Sequence, residues 1–338
     1  MPITLKDIAR LANVSTATIS RVLNDNAEGN MSAETYERIK RIIHETGYTP
    51  HALASGLRRG LSNVIGLILP DNVNPYYSQL GKSIENECFN NGYMTLICNT
   101  NSDKRREIDY LRHLIGQRVA GILFCSTGLI GEKIKSIVPA QIKVILLDEE
   151  IPNFESDIVI GDDYKGGYEG ARYLFNLGHG KILVITGPES RGSSRNRLKG
   201  YLDFLKDNSM EIEQNLIIEG QYDIESAYNI VINAMEKGLS FSAVFTFNDM
   251  MAIGSIKAFN KLNLRVPQDV SVLGYDNIFI DDLITPRIST IATPLEELGR
   301  IAVNRLLNSI KKVKEKGQKI LLEPILVVRE SCERFRPL

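Results

Sequence analysis

Several absences in this chain each remove a class of function. The four cysteines, Cys88, Cys98, Cys125 and Cys332, stand far apart with no C-x-x-C among them. A disulfide framework is therefore not expected, and a reducing cytoplasm is the expected compartment. No apolar run approaches the roughly 18 residues that a membrane helix requires. The opening MPITLKDIAR carries charges where an export signal needs an apolar stretch, so no secretory leader is expected. Neither G-x-G-x-x-G, G-x-x-x-x-G-K-[ST] nor H-E-x-x-H occurs, and His44, His51, His113 and His179 are scattered. No catalytic set, cofactor or metal centre is expected, and the chain reads as a binding protein rather than an enzyme. The adjacent acids Asp162-Asp163 and Asp281-Asp282 read as solvated loop pairs whose side chains diverge. Charge of one sign is lacking too: 40 Lys and Arg face 41 Asp and Glu. Residues 1–60 hold eight basic and six acidic side chains, a mild excess that carries little weight alone.

What is present is an ordinary globular composition, 43% hydrophobic and 24% charged over 338 residues, which predicts two or three domains. Residues 4–48 read as short helices with no strand pattern. From Asn63 onward short apolar runs, at 64–69, 94–98, 121–124, 143–147, 158–160, 182–186, 216–219, 243–247 and 270–274, alternate with amphipathic helical stretches. The helical stretches fall at 77–91, 104–117, 166–177, 194–208, 224–237 and 250–262. That order predicts an α/β fold, with parallel sheets covered by helices on both faces. Nine or more strands are too many for one small sheet, so two doubly wound lobes side by side are expected. Between the two textures lies GYTPHALASGLRRGLSN, where Pro50 stops a helix; it reads as a linker. The run KKVKEKGQK, Lys311 to Lys319, reads as a solvated helix end and loop, with a nucleic-acid contact as the alternative.

The most informative window is Leu5 to Asn24, LKDIARLANVSTATISRVLN. Two helices crossing steeply need a small residue at the contact, which Ala9 supplies. The tight turn needs a residue tolerant of a left-handed backbone, and Asn13 is one of the few non-glycine choices. Ile8, Ala12, Val14, Ile19 and Val22 fall at the offsets of a mini-core, and Ser15 suits the N-cap of the second helix. That helix then presents Thr16, Ala17, Thr18, Ser20 and Arg21. Short side chains let a helix sit deep in a major groove, and Arg can read guanine with two hydrogen bonds. A helix pair packed on the next domain is the bland alternative. The next window, TYERIKRIIHE, supplies a third helix with Tyr36, Ile39, Ile42 and Ile43 facing inward.

TLKDIARLANVSTATISRVLN, then GYTPHALASGL and NVIGLILPD, resembles the N-terminal signature of the LacI family of bacterial transcription regulators. The resemblance continues through QRVAGILF, GHGKILVITGP, AVFTFNDMMAIGSIKA, RVPQDVSVLGYDN and LVVRES. NPYYSQL, CFNNGYMTLICNTNSD and ITGP look nearest to the ribose-type repressors. The resemblance implies base reading by Thr16, Ala17 and Arg21, and phosphate contacts mostly from Thr4, Ser15, Thr18, Ser20 and Asn24. It also implies a hinge that orders on DNA and wedges Leu57 into the minor groove. The family's A-R-S-L reads Ala54-Ser55-Gly56-Leu57 here, and Gly56 weakens a helix by about 1 kcal/mol relative to Ala. A linker residue packed on the core is the alternative for Leu57.

In open α/β sheets ligands sit beyond the carboxyl ends of the strands. The segments there carry Asp71, Tyr76 and Tyr77; Asp148; Arg191, Ser193 and Arg197; Tyr222; Asn248; and Asp276. Carboxylates and guanidiniums can each bind two neighbouring hydroxyls, and Tyr rings cover the C–H face of a sugar. The pattern predicts a carbohydrate site. Each residue alone has a bland alternative, such as a turn cap for Asp276 or a surface carboxylate for Arg197. The resemblance places effector contacts on Tyr76, Tyr77, Asp148, Arg197, Tyr222, Asn248 and Asp276. Arg191 and Ser193 align with contacts of purine-binding relatives, which keeps a non-sugar effector open.

The expected organisation is a helix-turn-helix headpiece over 1–49, a hinge over 50–61, and an effector-binding and dimerisation domain over 62–338. Within the last, the N-lobe takes about 62–161 and 291–322, and the C-lobe about 162–290 and 323–338. The expected function is an allosteric repressor of a carbohydrate operon, binding a palindromic DNA operator as a cytoplasmic homodimer. No terminal helix bundle follows, so a tetramer of that kind is not expected. Two rivals stand beside it: a global carbon-control regulator answering to a phosphorylated carrier protein, and a sugar receptor or enzyme without DNA function.

Overall fold

The computed structural model describes residues 3–23, 31–48, 62–311 and 317–336; Asn24, Leu57 and the hinge expected over 50–61 lie outside them. Two compact units result, Met1–Ser62 and Asn63–Leu338.

Helices α1 (Leu5–Leu11), α2 (Thr16–Leu23) and α3 (Ala33–Thr46) make up the described part of the first unit. Thr4 and Asp7 form a reciprocal capping box at the start of α1. Ser15 caps α2, accepting from the Thr18 amide at 3.1 Å. Asn13 takes the left-handed backbone at φ 50°, as the turn demands. Ile8, Ala9, Ala12, Ile19, Val22, Ile39 and Tyr48 form a small closed core, with Val14, Tyr36, Ile42 and Ile43 packed on its edge.

The second unit holds two six-stranded sheets. The first comprises β1 (Val64–Leu69), β2 (Met94–Asn99), β3 (Gly121–Phe124), β4 (Lys143–Leu147), β5 (Asp157–Gly161) and β11 (Lys319–Leu322), in the order β11-β5-β4-β3-β1-β2. All its pairings are parallel. The second comprises β6 (Ile182–Thr186), β7 (Ile217–Glu219), β8 (Ala243–Thr246), β9 (Ser271–Asp276), β10 (Ser289–Ala292) and β12 (Ile325–Val327), in the order β12-β10-β9-β8-β6-β7. Only β12 runs antiparallel there. The chain leaves the first sheet after β5, returns after β10 and crosses again after β11.

Central strands buried on both faces are continuous apolar runs, which is why VIGLIL and ILVIT were legible as strands. Helices α4 (Pro75–Asn90), α5 (Lys104–Gly116), α6 (Gly131–Lys135) and α11 (Leu295–Lys311) belong to the first lobe. Helices α7 (Asp163–Asn176), α8 (Gly192–Asp207), α9 (Ile224–Glu236) and α10 (Asp249–Lys261) belong to the second. Each lobe has its own core: Leu67, Leu123, Ile145, Leu298 and Leu306 are among the residues of one, and Leu183, Phe245, Phe259 and Leu273 of the other. Helices α7 and α8 meet at glycine: a Cβ at Gly167 would lie 1.9 Å from the Arg197 carbonyl oxygen, and one at Gly200 1.9 Å from that of Tyr164. That close approach fixes where α8, and hence its first turn, sits over the second sheet.

Candidate functional site

In the first unit α2 is anchored by Ile19 and Val22 and turns its other face to solvent. Ala17 and Arg21 are exposed, and Thr16, Thr18 and Ser20 are half-buried at its rim. Part of the polar set also has structural work. The Thr4 hydroxyl donates to Asp7 at 2.6 Å, and the Ser15 and Thr18 hydroxyls lie 2.9 Å apart. Of the predicted DNA-facing residues that are described, Thr4 and Ser15 cap α1 and α2, and Thr16, Ala17, Thr18, Ser20 and Arg21 lie on α2.

In the second unit the strand ends of both sheets border one cavity of about 560 Å³. Tyr76, Tyr77, Asp148, Arg191, Ser193, Arg197, Tyr222, Asn248 and Asp276 all line it, joined by Asp71, Thr127, Gln221 and Asp223. Asn74 caps α4 and Pro75 opens it, which sets Tyr76 and Tyr77 in the first turn. Their hydroxyls each donate 2.9 Å bonds to the two oxygens of Asp148, and their rings meet edge to face at 5.0 Å. Burial, then the charge of Asp148, raises both phenols well above their ordinary pKa, so they remain donors. Four lining residues sit in the left-handed region: Ser102 at φ 57°, Asp148 at φ 65°, Tyr222 at φ 61° and Asp276 at φ 111°. Non-glycine residues there cost energy and collect at binding sites. Here they turn the chain sharply at strand ends and aim side chains across the cavity.

Arg197 is 5% exposed and stacks on the Tyr275 ring at 3.6 Å. Its Nε donates to Asp163 at 2.7 Å, Nη1 donates to the Phe247 carbonyl, and Asp276 lies 3.6 Å away. Burial opposes its charge, but Asp163, Tyr275 and Asp276 hold the guanidinium ionised. Asn248 caps α10 through the Met251 amide and donates to the Tyr222 carbonyl at 2.9 Å. It therefore ties two cavity-lining loops together.

The two lobes are clasped at Arg191. It donates to Asp148 and to the Tyr77 hydroxyl, both at 3.2 Å, and its Nε lies 3.0 Å from Glu149. Glu149 was not foreseen. It follows β4 in the first lobe and accepts from the Gly192 amide at 2.9 Å and the Ser193 hydroxyl at 3.1 Å in the second. Its position directly after Asp148 was the available signal. Glu107 was also missed: buried under the loop after β3, it accepts from Thr127 N and Oγ1, each at 2.6 Å, and holds that cavity wall.

One expectation and one alternative are corrected. The pairs Asp162-Asp163 and Asp281-Asp282 do diverge, but one member of each is buried rather than solvated. Asp163 is the buried partner of Arg197, while Asp162 caps α7. Asp281 is fully buried near Asp249, which accepts from the Thr290 hydroxyl at 2.7 Å and the Ile278 amide at 3.1 Å. Burial first, then Asp281, pushes Asp249 well up; burial first also pushes Asp281 up to about 7. Arg197 pairs with a buried carboxylate, not a surface one. Among the described residues no helix is long and apolar enough to cross a membrane, and no group of three or more His, Cys, Asp or Glu is placed to hold a metal ion.

A three-helix unit with an exposed polar helix face, followed by a two-lobed α/β unit with a cleft at its strand ends, defines a regulator that joins DNA binding to ligand binding. Residues 4–51 match the model for bacterial regulatory proteins of the lacI family, and 62–330 that for periplasmic binding proteins and the sugar binding domain of the LacI family. The chain belongs to the LacI family and is a DNA-binding transcriptional regulator. It is 33% identical to the ribose operon repressor of Escherichia coli K12, over 97% of this chain and 99% of that one. It is 34% identical to the transcriptional repressor PurR of Edwardsiella ictaluri, over 97% and 96%. A solved lac repressor dimer, bound to operator and an anti-inducer, superposes with a TM-score of 0.87 at 28% identity, covering 98% of this chain and all of that one.

Proposed function

We propose that this chain is a homodimeric transcriptional repressor whose affinity for a palindromic operator is set by a small sugar bound between the two lobes. Residues 1–49 form the DNA-reading headpiece, 50–61 the hinge, and 62–338 the effector-binding and dimerisation domain. Thr16, Ala17 and Arg21 read bases. Thr4, Ser15, Thr18, Ser20 and Asn24 hold phosphates, and Leu57 enters the minor groove. The effector contacts are Tyr76, Tyr77, Asp148, Arg191, Ser193, Arg197, Tyr222, Asn248 and Asp276. The protein acts in the cytoplasm and catalyses no reaction.

One observation carries the effector assignment: carboxylates, guanidiniums, amides and three tyrosines from both lobes border one cavity of about 560 Å³, ample for a small sugar. Such a set satisfies ring hydroxyls in pairs and leaves aromatic surface for C–H groups. A ligand touching both lobes favours one lobe angle, and that angle sets the spacing of the two hinges in the dimer. A purine-like effector is the second reading, favoured by the presence of Arg191 and Ser193 in the cavity and by the PurR relative.

The test is a titration of an operator, selected from random palindromic DNA, with and without pentoses and hexoses at fixed salt, because phosphate contacts make affinity salt-dependent. A several-fold shift with one sugar supports the proposal. Tight operator binding that no sugar alters, but a purine does, transfers it to the second reading.

A further inference from the structure

The charge balance of the cleft bears on which sugars it admits, an inference that rests on the sugar reading above. Among the described residues lining the cavity, the cations are Arg191 and Arg197, against the carboxylates Asp71, Asp148, Asp223 and Asp276. Both guanidiniums are ion-paired, although Arg191 Nε makes no hydrogen bond. Arg191 is shared by Asp148 and Glu149, and Arg197 by Asp163 and Asp276. An arriving anion finds both cations already matched by two carboxylates each.

Glu149 decides the matter at the first turn of α8. Arg191, Gly192 and Ser193 would together suit an anionic group: a guanidinium, two backbone amides and a hydroxyl at the positive end of a 16-residue helix. Glu149 takes that place. Its Oε2 accepts from the Gly192 amide at 2.9 Å, and its Oε1 from the Ser193 hydroxyl at 3.1 Å, with Arg191 Nε 3.0 Å away. It is 9% exposed and held from the opposite lobe, so displacing it would bury an unpaired carboxylate or open the clasp.

We propose that Glu149 is an internal anion, seated where a ligand's phosphate or carboxylate would otherwise dock, so that the cleft takes uncharged polyols and refuses their phosphorylated or acidic derivatives. The carboxyl groups that line the cavity, Asp71, Asp148, Asp223 and Asp276, suit a ligand rich in O–H donors.

The experiment uses the full chain and isothermal titration. The probes are D-ribose, D-xylose, D-glucose and D-galactose, each beside its 5- or 6-phosphate and the neutral O-methyl ether at the same position. The expected result is binding of at least one neutral sugar, with its phosphate weaker by about 100-fold, as like-charge juxtaposition implies, and its ether weakened far less. In Glu149→Gln the ratio of neutral to phosphate affinity falls by about tenfold or more. A phosphate that binds the wild type as tightly as its parent sugar overturns the proposal and leaves the sugar reading standing. Equal loss for ether and phosphate assigns the selection to size and overturns it as well. An unchanged ratio in a folded Glu149→Gln removes Glu149 from the role. Should that variant not fold, the wild-type comparison of phosphate with ether still decides. If neither sugars nor phosphates bind, the sugar reading fails and takes the proposal with it.

Discussion

Arg197 shows what a buried cation does for a binding wall. It joins Asp163, Asp276, the Phe247 carbonyl and the Tyr275 ring, and so fixes the ends of several elements at once. Arg197→Ala leaves two buried carboxylates without their cation. The expected cost is about 3–5 kcal/mol in urea unfolding, together with loss of effector binding. Full effector affinity in this variant would sink the assignment. Asp281 gives a pH signature. Its pKa rises from 3.8 to about 7, from burial first, with the bond to its partner Asp249 and then Arg329 opposing the rise and Asp276 and Asp282 adding to it. The folded state therefore binds an extra proton between those values. The resulting stability is fully present below about pH 4 and is lost as pH rises through 7, at up to about 1.4 kcal/mol per pH unit. The urea midpoint of the wild type should fall across this window more steeply than that of Asp281→Asn; parallel profiles would refute the role. Asp148, Tyr222 and Asp276 were legible because they stand at or within three residues of the ends of strands. Asp163, Glu149 and Asp281 were not, because local sequence cannot tell which of two adjacent acids a distant Arg or a buried helix end will draw inward.

At the level of elements, the contact between α7 and α8 depends on the missing side chains of Gly167 and Gly200. Gly200→Ala pushes a methyl group against the Tyr164 carbonyl oxygen. It should destabilise the second lobe by about 1–3 kcal/mol and shift the first turn of α8, so sugar affinity falls too. Calorimetry beside ligand titration checks both halves. On α2, Arg21→Ala should cost about 1–3 kcal/mol of operator affinity, read by fluorescence anisotropy, and leave effector affinity unchanged. The central strands and their helices were legible from continuous apolar runs and helical spacing, and the two-lobed α/β arrangement followed from their number. The sequence patterns name no element after residue 274. Strand β10 reads STIA: its buried hydroxyls are satisfied by bonds, Ser289 accepting from the Arg329 amide and Thr290 donating to Asp249, rather than buried by apolar character. Strands β11 and β12 are short edge strands with Leu321 and Ile325 exposed, so their alternation carries little signal. Helix α11 has helical spacing at Leu298, Ala302, Val303 and Leu306, yet it lies among strands that do not announce themselves.

For the whole molecule, the clasp of Asp148 and Glu149 on the start of α8 is the place where ligand and lobe angle meet. A ligand can move the DNA equilibrium only by binding one arrangement better than another. The coupling should amount to about 1–3 kcal/mol, and it must be reciprocal. Operator DNA should therefore change sugar affinity by the same factor by which sugar changes operator affinity. Titrations of sugar with and without saturating operator measure this, and unequal factors would show that one of the two species is not at a single linked site.

The double return of the chain also has a consequence for synthesis. The three helices and their core lie within the first 48 residues, so they can assemble soon after leaving the ribosome. The first sheet must wait for its edge strand, Lys319–Leu322, and the second for Ile325–Val327. Through most of translation, the nascent chain carries a finished DNA-reading module with its controlling lobes still incomplete.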